Sequence, residues 1–227
     1  MCSYHVHGVR YGWVYQGLLG GGYLVGEVDT NGDMSGDDIA YIYPDFRTAI
    51  RGQFMDGEMI SGQECRVISG VISDDGSFTI PIFSDFVNDV IYKHDPASHL
   101  VISSDPLLRD PWEATMVEVR PSGLDQAGEG LFAKTDLPAK TIICLFAGVR
   151  LKTSTVAAER RPRSDYRIQL TVDVDLDIPD TCLQLTSYCA TLGHKANHSF
   201  IPNGTFDLFE HPRFGLIRAI TSLEDIK

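Results

Sequence analysis

Glycines recur at a fixed interval near the start of the chain, and this repeat restricts the possible fold more than any other feature. Gly26 and Gly36 are each matched by another glycine 26 residues later, Gly52 and Gly62. Around them apolar and polar residues alternate with the two-residue period of a β-strand. A unit this short cannot bury its hydrophobic face alone, so its copies must pack side by side. The repeat therefore predicts an antiparallel β-meander.

The turns between these strands are also predicted by the sequence. Asn31-Gly32 and Asp56-Gly57 are dipeptides that accept the positive φ angles of tight hairpins. Further along, strand-like stretches follow one another from Met116 to Asp180, and only "SYCATLG" at 187–193 has the pattern of a helical turn. We therefore expect a mostly β protein.

Charge restricts the classes of partner. The net charge is −12, and most of the excess lies in residues 1–100, which carry 14 acidic and 5 basic side chains. An acidic surface disfavours direct nucleic-acid binding and anionic lipid, and it favours encounter with a basic peptide. No apolar run is long enough for a membrane span, and the first residues do not resemble a secretory leader, so we expect an intracellular protein.

A metal site is not expected. The five cysteines are odd in number and no pair has CxxC spacing. His194 and His198 are four residues apart, which on a helix would place both on one face. The sequence that follows them, Phe-Ile-Pro-Asn, is a poor helix former, and no acidic partner lies nearby.

Two polar segments in the second half of the chain bear on function. Ala127-Gly128-Glu129-Gly130 precedes Leu-Phe, and Asn197-His198-Ser199 precedes Phe-Ile-Pro-Asn203. Each alone is typical of an ordinary turn. Together and in this order they resemble the SET domain of protein-lysine methyltransferases, and the upstream glycine repeats resemble MORN repeats.

This resemblance implies a domain organisation. Residues 1–84 would form a MORN-like β-hairpin meander, 85–112 a connector, and 113–227 a SET domain of the β-clip type. The chain ends at "ITSLEDIK", before the family's Tyr-containing segment that supplies the principal catalytic tyrosine. We therefore expect a C-terminally truncated SET domain, with little turnover from these residues alone.

The resemblance also implies the reaction and its site. The family transfers a methyl group from S-adenosylmethionine to lysine in histone tails and other nuclear proteins. Ala127, Gly128 and Glu129 would lie against this co-substrate, with Asn197 and His198 on its other side. Glycine suits such a place because no Cβ keeps the backbone from the ligand. Ser199 and Asn203 are expected to hold the turn.

Two positions depart from the family pattern. Phe146 and Phe206 stand where the MORN-plus-SET relative has tyrosines that line the lysine tunnel. Losing those hydroxyls removes hydrogen bonds that orient the amine, so we hypothesise that Phe206 relaxes a limit at monomethylation towards dimethylation. The alternative is that both are simply packed aromatic side chains.

Other functions remain open at the level of sequence. A non-catalytic MORN/SET scaffold for protein interaction is the main alternative, and a membrane or cytoskeletal adaptor is a third. The resemblance implies a monomer located in the nucleus on chromatin, with a cytoplasmic pool as the alternative. The acidic segment "VDVDLD" at 172–177 could contact a basic tail or could be a solvated strand edge, and we favour the edge.

Overall fold

The computed structural model describes residues 3–6, 9–70, 79–124, 127–154 and 164–227, and for residues 3–11 only the backbone. Within these ranges the protein is mostly β, as predicted, and residues 113–116 form a four-residue α-helix. None of the described residues form a helix with the length and apolar character to cross a membrane. The chain divides into two compact units, residues 1–94 with 210–215, and residues 95–209 with 216–227. The predicted boundaries after 84 and 112 stay predictions.

The first unit contains one seven-stranded antiparallel sheet whose strands follow chain order, which confirms the predicted meander. Its strands are β1 (Ser3–Val6), β2 (Val9–Gly17), β3 (Tyr23–Glu27), β4 (Gly36–Ile42), β5 (Thr48–Met55), β6 (Glu58–Ser69) and β7 (Ile82–Phe83).

Both predicted turns lie between strands of this sheet. Asp56 and Gly57 join β5 to β6 with φ angles of 52° and 81°, the two positive values that a tight hairpin requires. In the longer β3–β4 connection Gly32 has a φ of 88°. There a carboxylate oxygen of Asp29 accepts hydrogen bonds from the backbone N–H groups of Asn31 and Asp33.

The repeated glycines allow close packing between neighbouring strands. Gly52 of β5 lies directly opposite Gly62 of β6. A Cβ atom on Gly52 would collide with the Ser61 carbonyl oxygen and lie 2.7 Å from the Gly62 Cα. A Cβ on Gly62 would lie 2.6 Å from a methyl group of Ile50. Three of the four repeated glycines, Gly26, Gly52 and Gly62, therefore lie where a neighbouring strand approaches closely, whereas a Cβ on Gly36 would meet no atom within 4 Å.

Aromatic residues fill the interior of the first unit. Tyr41 and Tyr43 are fully buried with ring centroids 4.7 Å apart. Residues 210–215 belong to this unit, and the His211 Nε2 atom lies 3.1 Å from the Tyr43 hydroxyl. The hydroxyl and the imidazole thus satisfy each other's hydrogen-bonding needs away from water.

The second unit is built from short sheets around a separate core. After α1 (Glu113–Met116) come β8 (Val117–Pro121), β9 (Glu129–Ala133), β10 (Ile142–Phe146), β11 (Val149–Lys152), β12 (Ile168–Gln169), β13 (Val174–Asp177), β14 (Gly204–His211) and β15 (Gly215–Ser222). The last two residues of β14 and the first residue of β15 are counted with the first unit. The strands form a β8–β9 hairpin and two three-stranded sheets, ordered β10–β15–β14 and β11–β13–β12. Buried side chains between them include Val117, Leu137, Ile143, Cys144, Leu192 and Ile220.

Two local predictions were wrong. Residues 187–192 form no helix; 3₁₀ turns lie on either side, at Asp180–Cys182 and Gly193–Lys195, and an α-helix lies at Glu113–Met116. The acidic segment at 172–177 is not a sheet edge, because β13 is the central strand of its sheet. Asp177 also forms an ion pair with Arg167, at 3.2 Å.

Replacing Gly52 by alanine should test the close strand packing. We expect Gly52→Ala to lower the free energy of unfolding by about 1–3 kcal/mol, because the backbone atoms that its Cβ meets cannot move aside. Gly123→Ala is the matched control, since no atom lies within 4 Å of its Cβ position. Thermal unfolding followed by circular dichroism compares the two variants. Equal midpoints for Gly52→Ala and the control would contradict the packing explanation.

Candidate functional site

The glycine hairpin and the polar turn predicted from the sequence lie against each other within the second unit. Gly130 in β9 faces the Asn197 side chain, and a Cβ atom there would lie 3.0 Å from Asn197 Nδ2. Asn197 Nδ2 donates a hydrogen bond of 3.1 Å to the Ser122 hydroxyl, beside the same hairpin. The second glycine of Gly-x-Gly is therefore needed for contact with the turn, a role that sequence reasoning did not assign.

An ion pair joins the same two segments. Lys195 Nζ lies 2.6 Å from a Glu129 carboxylate oxygen and donates a second hydrogen bond of 2.6 Å to the Leu183 carbonyl. The Lys195 side chain is nearly buried, whereas that of Glu129 is partly exposed. Glu129 was predicted as a co-substrate contact, and the structure shows its carboxylate paired with Lys195.

Between the two segments lies a cleft of about 1340 Å³. Residues from the β8–β9 hairpin, the 193–205 turn and the ends of β10 and β14 line it. Every site residue predicted from the sequence is among them: Ala127, Gly128, Glu129, Phe146, Asn197, His198 and Phe206. Gly128 has a φ of 63° and nothing within 4 Å of its Cβ position, so a ligand can approach its backbone closely.

The two predicted tunnel residues form one aromatic wall. The rings of Phe146 and Phe206 pack edge to face with centroids 5.8 Å apart. Phe146 is buried at the end of β10, and Phe206 is partly exposed on β14. Gly193 packs against Phe146 so closely that a Cβ atom on the glycine would lie 2.8 Å from the Phe146 Cβ.

The sequence analysis did not identify a buried carboxyl group, Glu113, that is hydrogen-bonded to two segments lining the cleft. A single oxygen of Glu113 accepts the backbone N–H of Leu145, at 2.7 Å, and that of Leu192, at 3.0 Å. Leu145 precedes Phe146, and Leu192 precedes Gly193. Glu113 thereby ties the strand that carries the aromatic wall to the turn that carries Asn197.

A local signal for this group exists in the sequence. Asp110-Pro111-Trp112-Glu113 has the spacing of a helix start, with proline in the first turn. Asp110 accepts hydrogen bonds from the N–H groups of Trp112 and Glu113, which orients α1. Burial raises the pKa of Glu113 to about 8, with the nearby Asp110 charge acting in the same direction.

The histidines of the polar turn lie in different environments. His194 is 5% exposed and lines the cleft, whereas His198 is exposed, its ring edge to face with Phe200 at 5.3 Å. Across the described ranges, no three His, Cys, Asp or Glu side chains are grouped to hold a metal ion. The Ser199 hydroxyl donates to the Ile201 carbonyl and accepts the Ile201 N–H, so its side chain stabilises the turn. The backbone carbonyl of Asn203 accepts the Leu223 N–H, and a role for the Asn203 side chain stays a prediction.

Comparison with known proteins confirms the predicted resemblance. Residues 5–77 match the family described as the histone H3 K4-specific methyltransferase SET7 N-terminal domain. Histone-lysine N-methyltransferase SETD7 of Halocynthia roretzi is 40% identical over 220 residues, 96% of this chain and 56% of that protein. The chain thus spans little more than half the length of this curated relative.

Two solved structures show a weaker likeness. One is ctPRC2 in an autoinhibited conformation bound to S-adenosylmethionine, 19% identical over 50% of this chain and 14% of that chain, with a TM-score of 0.38. The other is the polycomb repressive complex 2 of Chaetomium thermophilum. It is 18% identical, the match covers 49% of this chain and 14% of that chain, and the TM-score is 0.37.

The Glu113 carboxyl should impose a pH dependence on stability. The folded protein keeps this proton up to about pH 8, whereas the unfolded chain releases it near the ordinary glutamate value. The free energy of unfolding should therefore fall as pH rises from about 4.5 to 8, by an amount on the order of a few kcal/mol. Glu113→Gln should flatten this part of the profile, because the amide oxygen still accepts both N–H groups but cannot ionise.

Chemical denaturation at several pH values between 5 and 8 measures this effect. Glu118→Gln is the control, because Glu118 lies on the adjacent strand with its side chain half exposed. It should leave the profile of the unmodified protein unchanged. Equal pH slopes for Glu113→Gln and the unmodified protein would contradict the assignment.

Proposed function

We propose that this protein, a relative of the SETD7 histone-lysine methyltransferases, is an S-adenosylmethionine-dependent protein-lysine N-methyltransferase. The observation that carries the proposal is the convergence of the β8–β9 hairpin and the 193–203 turn on one cleft. The 40% identity to SETD7 supports it independently. Histone tails and other nuclear proteins are the proposed substrates, and chromatin in the nucleus is the proposed location, for a protein acting as a monomer.

The residues present fit a nucleoside-bearing methyl donor. Ligand clefts commonly enclose about 300–1000 Å³, so a cleft of about 1340 Å³ has room for a donor and a lysine side chain. The open backbone at Gly128 lets N–H and C=O groups reach the ligand. Asn197 and the imidazole of His198 offer directional hydrogen bonds from the opposite side.

The donor supplies an electrophilic methyl group, and this chain's residues orient the attacking amine. Lysine is charged in water, with a pKa of about 10.4, and only its neutral amine can attack. The apolar faces of Phe146 and Phe206 exclude water from the amine and so disfavour the ammonium form. The same faces attract an alkylammonium as it enters. The reaction also requires the lysine nitrogen, the methyl carbon and the sulfur of the donor to lie in line, which the walls of the cleft achieve by holding both molecules in place.

The charge of the chain supports a basic peptide as substrate. At a net charge of −12, long-range attraction brings a lysine-rich tail towards the protein and repels nucleic acid. A histone tail combines the required positive charge with an extended, accessible lysine.

Calorimetric titration with S-adenosylmethionine tests the proposal without depending on turnover. The unmodified protein should bind one equivalent. Asn197→Ala should weaken binding about tenfold, the cost of one lost hydrogen bond to a charged ligand. Asn31→Ala makes the same change at an exposed β3–β4 turn of the first unit and should bind as the unmodified protein does. No saturable binding by the unmodified protein would favour the non-catalytic scaffold instead.

The second test concerns the number of methyl groups transferred. A tyrosine hydroxyl at position 206 would occupy space and hydrogen-bond the amine, whereas Phe206 leaves that space open. Little turnover is expected of these residues alone, but in the product that forms we expect dimethyllysine from the unmodified protein and mainly monomethyllysine from Phe206→Tyr. Mass spectrometry of a lysine peptide after reaction measures both products. Identical methylation states would show that Phe206 is only a packed aromatic side chain.

A further inference from the structure

The buried carboxyl group of Glu113 has no part in the proposed reaction so far. Glu113 is 1% exposed and lies behind the cleft, since it is not among the residues that line it. One of its oxygens accepts the N–H groups of Leu145 and Leu192, at 2.7 Å and 3.0 Å. Any effect of Glu113 on ligands in the cleft must therefore pass through the backbone segments that it holds.

The backbone on both sides of Phe146 is fixed by side chains. Before Phe146, the N–H of Leu145 is bonded to Glu113. After it, the Ala147 N–H donates to the Thr191 hydroxyl at 3.1 Å, and Thr191 is fully buried. The wall residue Phe146 is thus connected, directly or through Glu113, to residues 191–192, from which the polar turn continues.

The packing between these segments prevents one of them from moving alone. A Cβ atom on Gly193 would lie 2.7 Å from the Leu145 carbonyl oxygen and 2.8 Å from the Phe146 Cβ. If the turn moved away from β10, Glu113 could follow only one of its two N–H donors. The other would be left buried without an acceptor, which is costly. The turn and the end of β10 should therefore shift together.

We propose that Glu113 is a positioning residue that couples the two sides of the cleft, so that a methyl donor at the polar turn favours the position of Phe146 that accepts lysine. The inference rests on the proposed function, because it requires both ligands in this cleft. It adds a form of regulation to that function, in which each ligand raises the affinity of the other. By thermodynamic linkage the two increases are equal.

The groups around Glu113 determine which substitutions isolate this effect. Burial raises the pKa of Glu113 to about 8, the nearby Asp110 charge acts in the same direction, and the Cys144 thiol lies within hydrogen-bonding reach. Glu113 is therefore mostly protonated at neutral pH, and an uncharged carboxyl oxygen accepts both N–H groups. The amide oxygen of Glu113→Gln can do the same. Glu113→Met keeps a side chain of similar length and removes the acceptor.

The coupling can be measured as a ratio of affinities. The probes are S-adenosylhomocysteine, which lacks the reactive methyl group, and a lysine-containing peptide of the histone H3 tail. Calorimetric titration gives the dissociation constant of the peptide with and without saturating S-adenosylhomocysteine. We expect a ratio of about ten in the unmodified protein and in Glu113→Gln, and a ratio below about two in Glu113→Met.

A control variant separates coupling from folding. Leu137 is buried in the core of the second unit but does not line the cleft. Leu137→Ala should lower the thermal midpoint and keep the ratio of the unmodified protein, whereas Glu113→Met should lower both. A loss of affinity common to both titrations cancels in the ratio, so general destabilisation does not imitate the expected result.

A second measurement does not require Glu113→Met to fold. In the unmodified protein S-adenosylhomocysteine alone should shift the amide resonances of both Leu192 and Leu145, although the donor is proposed to contact only the hairpin and the turn. Both shifts should persist in Glu113→Gln. The Leu170 amide, which is bonded to the nearby Val174 carbonyl, is the reference that should not shift. A shift at Leu192 without one at Leu145 would overturn the inference.

The possible failures are distinguishable. If the unmodified protein does not bind S-adenosylhomocysteine, the proposed function fails and this inference fails with it. If it binds this probe but the probe does not raise the affinity for the peptide, only this inference is overturned. If Glu113→Met keeps the full ratio, the two sides are coupled without Glu113, and its role is structural alone.

Discussion

The second unit depends on one buried carboxyl group. Glu113 lies on a single turn of helix, and one of its oxygens accepts N–H groups 32 and 79 residues away along the chain. These two N–H groups would otherwise be buried without partners, which costs more free energy than the hydrogen bonds themselves contribute. The carboxyl group thus satisfies both donors, and it sets the separation between the end of β10 and the polar turn.

The geometry of the cleft follows from this constraint. With Leu145 and Leu192 bonded to the same oxygen, Gly193 is brought under Phe146, where no side chain larger than hydrogen would fit. The rest of the turn then reaches the β8–β9 hairpin, where Asn197 contacts Gly130 and Lys195 pairs with Glu129. Aromatic walls, a charge pair and a neutral imidazole are thereby combined around one space.

Much of this could be predicted from the sequence. The glycine repeat and the Asp56-Gly57 turn predict the meander, because backbone conformation and strand period are local properties. The strand-like stretches predicted between Met116 and Asp180 contain β8 to β13, because strand period is again a local property. The pair of polar segments predicted the site only through family resemblance, since each segment alone is an ordinary turn. The helical prediction was wrong for 187–192, because the Cys189 and Ala190 N–H groups bond to the distant Pro106 carbonyl and not to neighbours within a helix.

The sequence by itself determined the net charge of −12 and the elements that depend on near neighbours, which are strands of alternating polarity and a hairpin at Asp-Gly. Only the tertiary structure decided which groups Glu113 and Lys195 contact and that His194 is buried. The role of each depends on burial and on atoms far along the chain, which no local pattern records. The sequence around Glu113 is typical of a helix start. Folding removes its carboxyl group from water, which raises its pKa and leaves it protonated while it accepts two backbone N–H groups. Burial likewise lowers the pKa of His194 to about 4, so this histidine of the polar turn is neutral at pH 7.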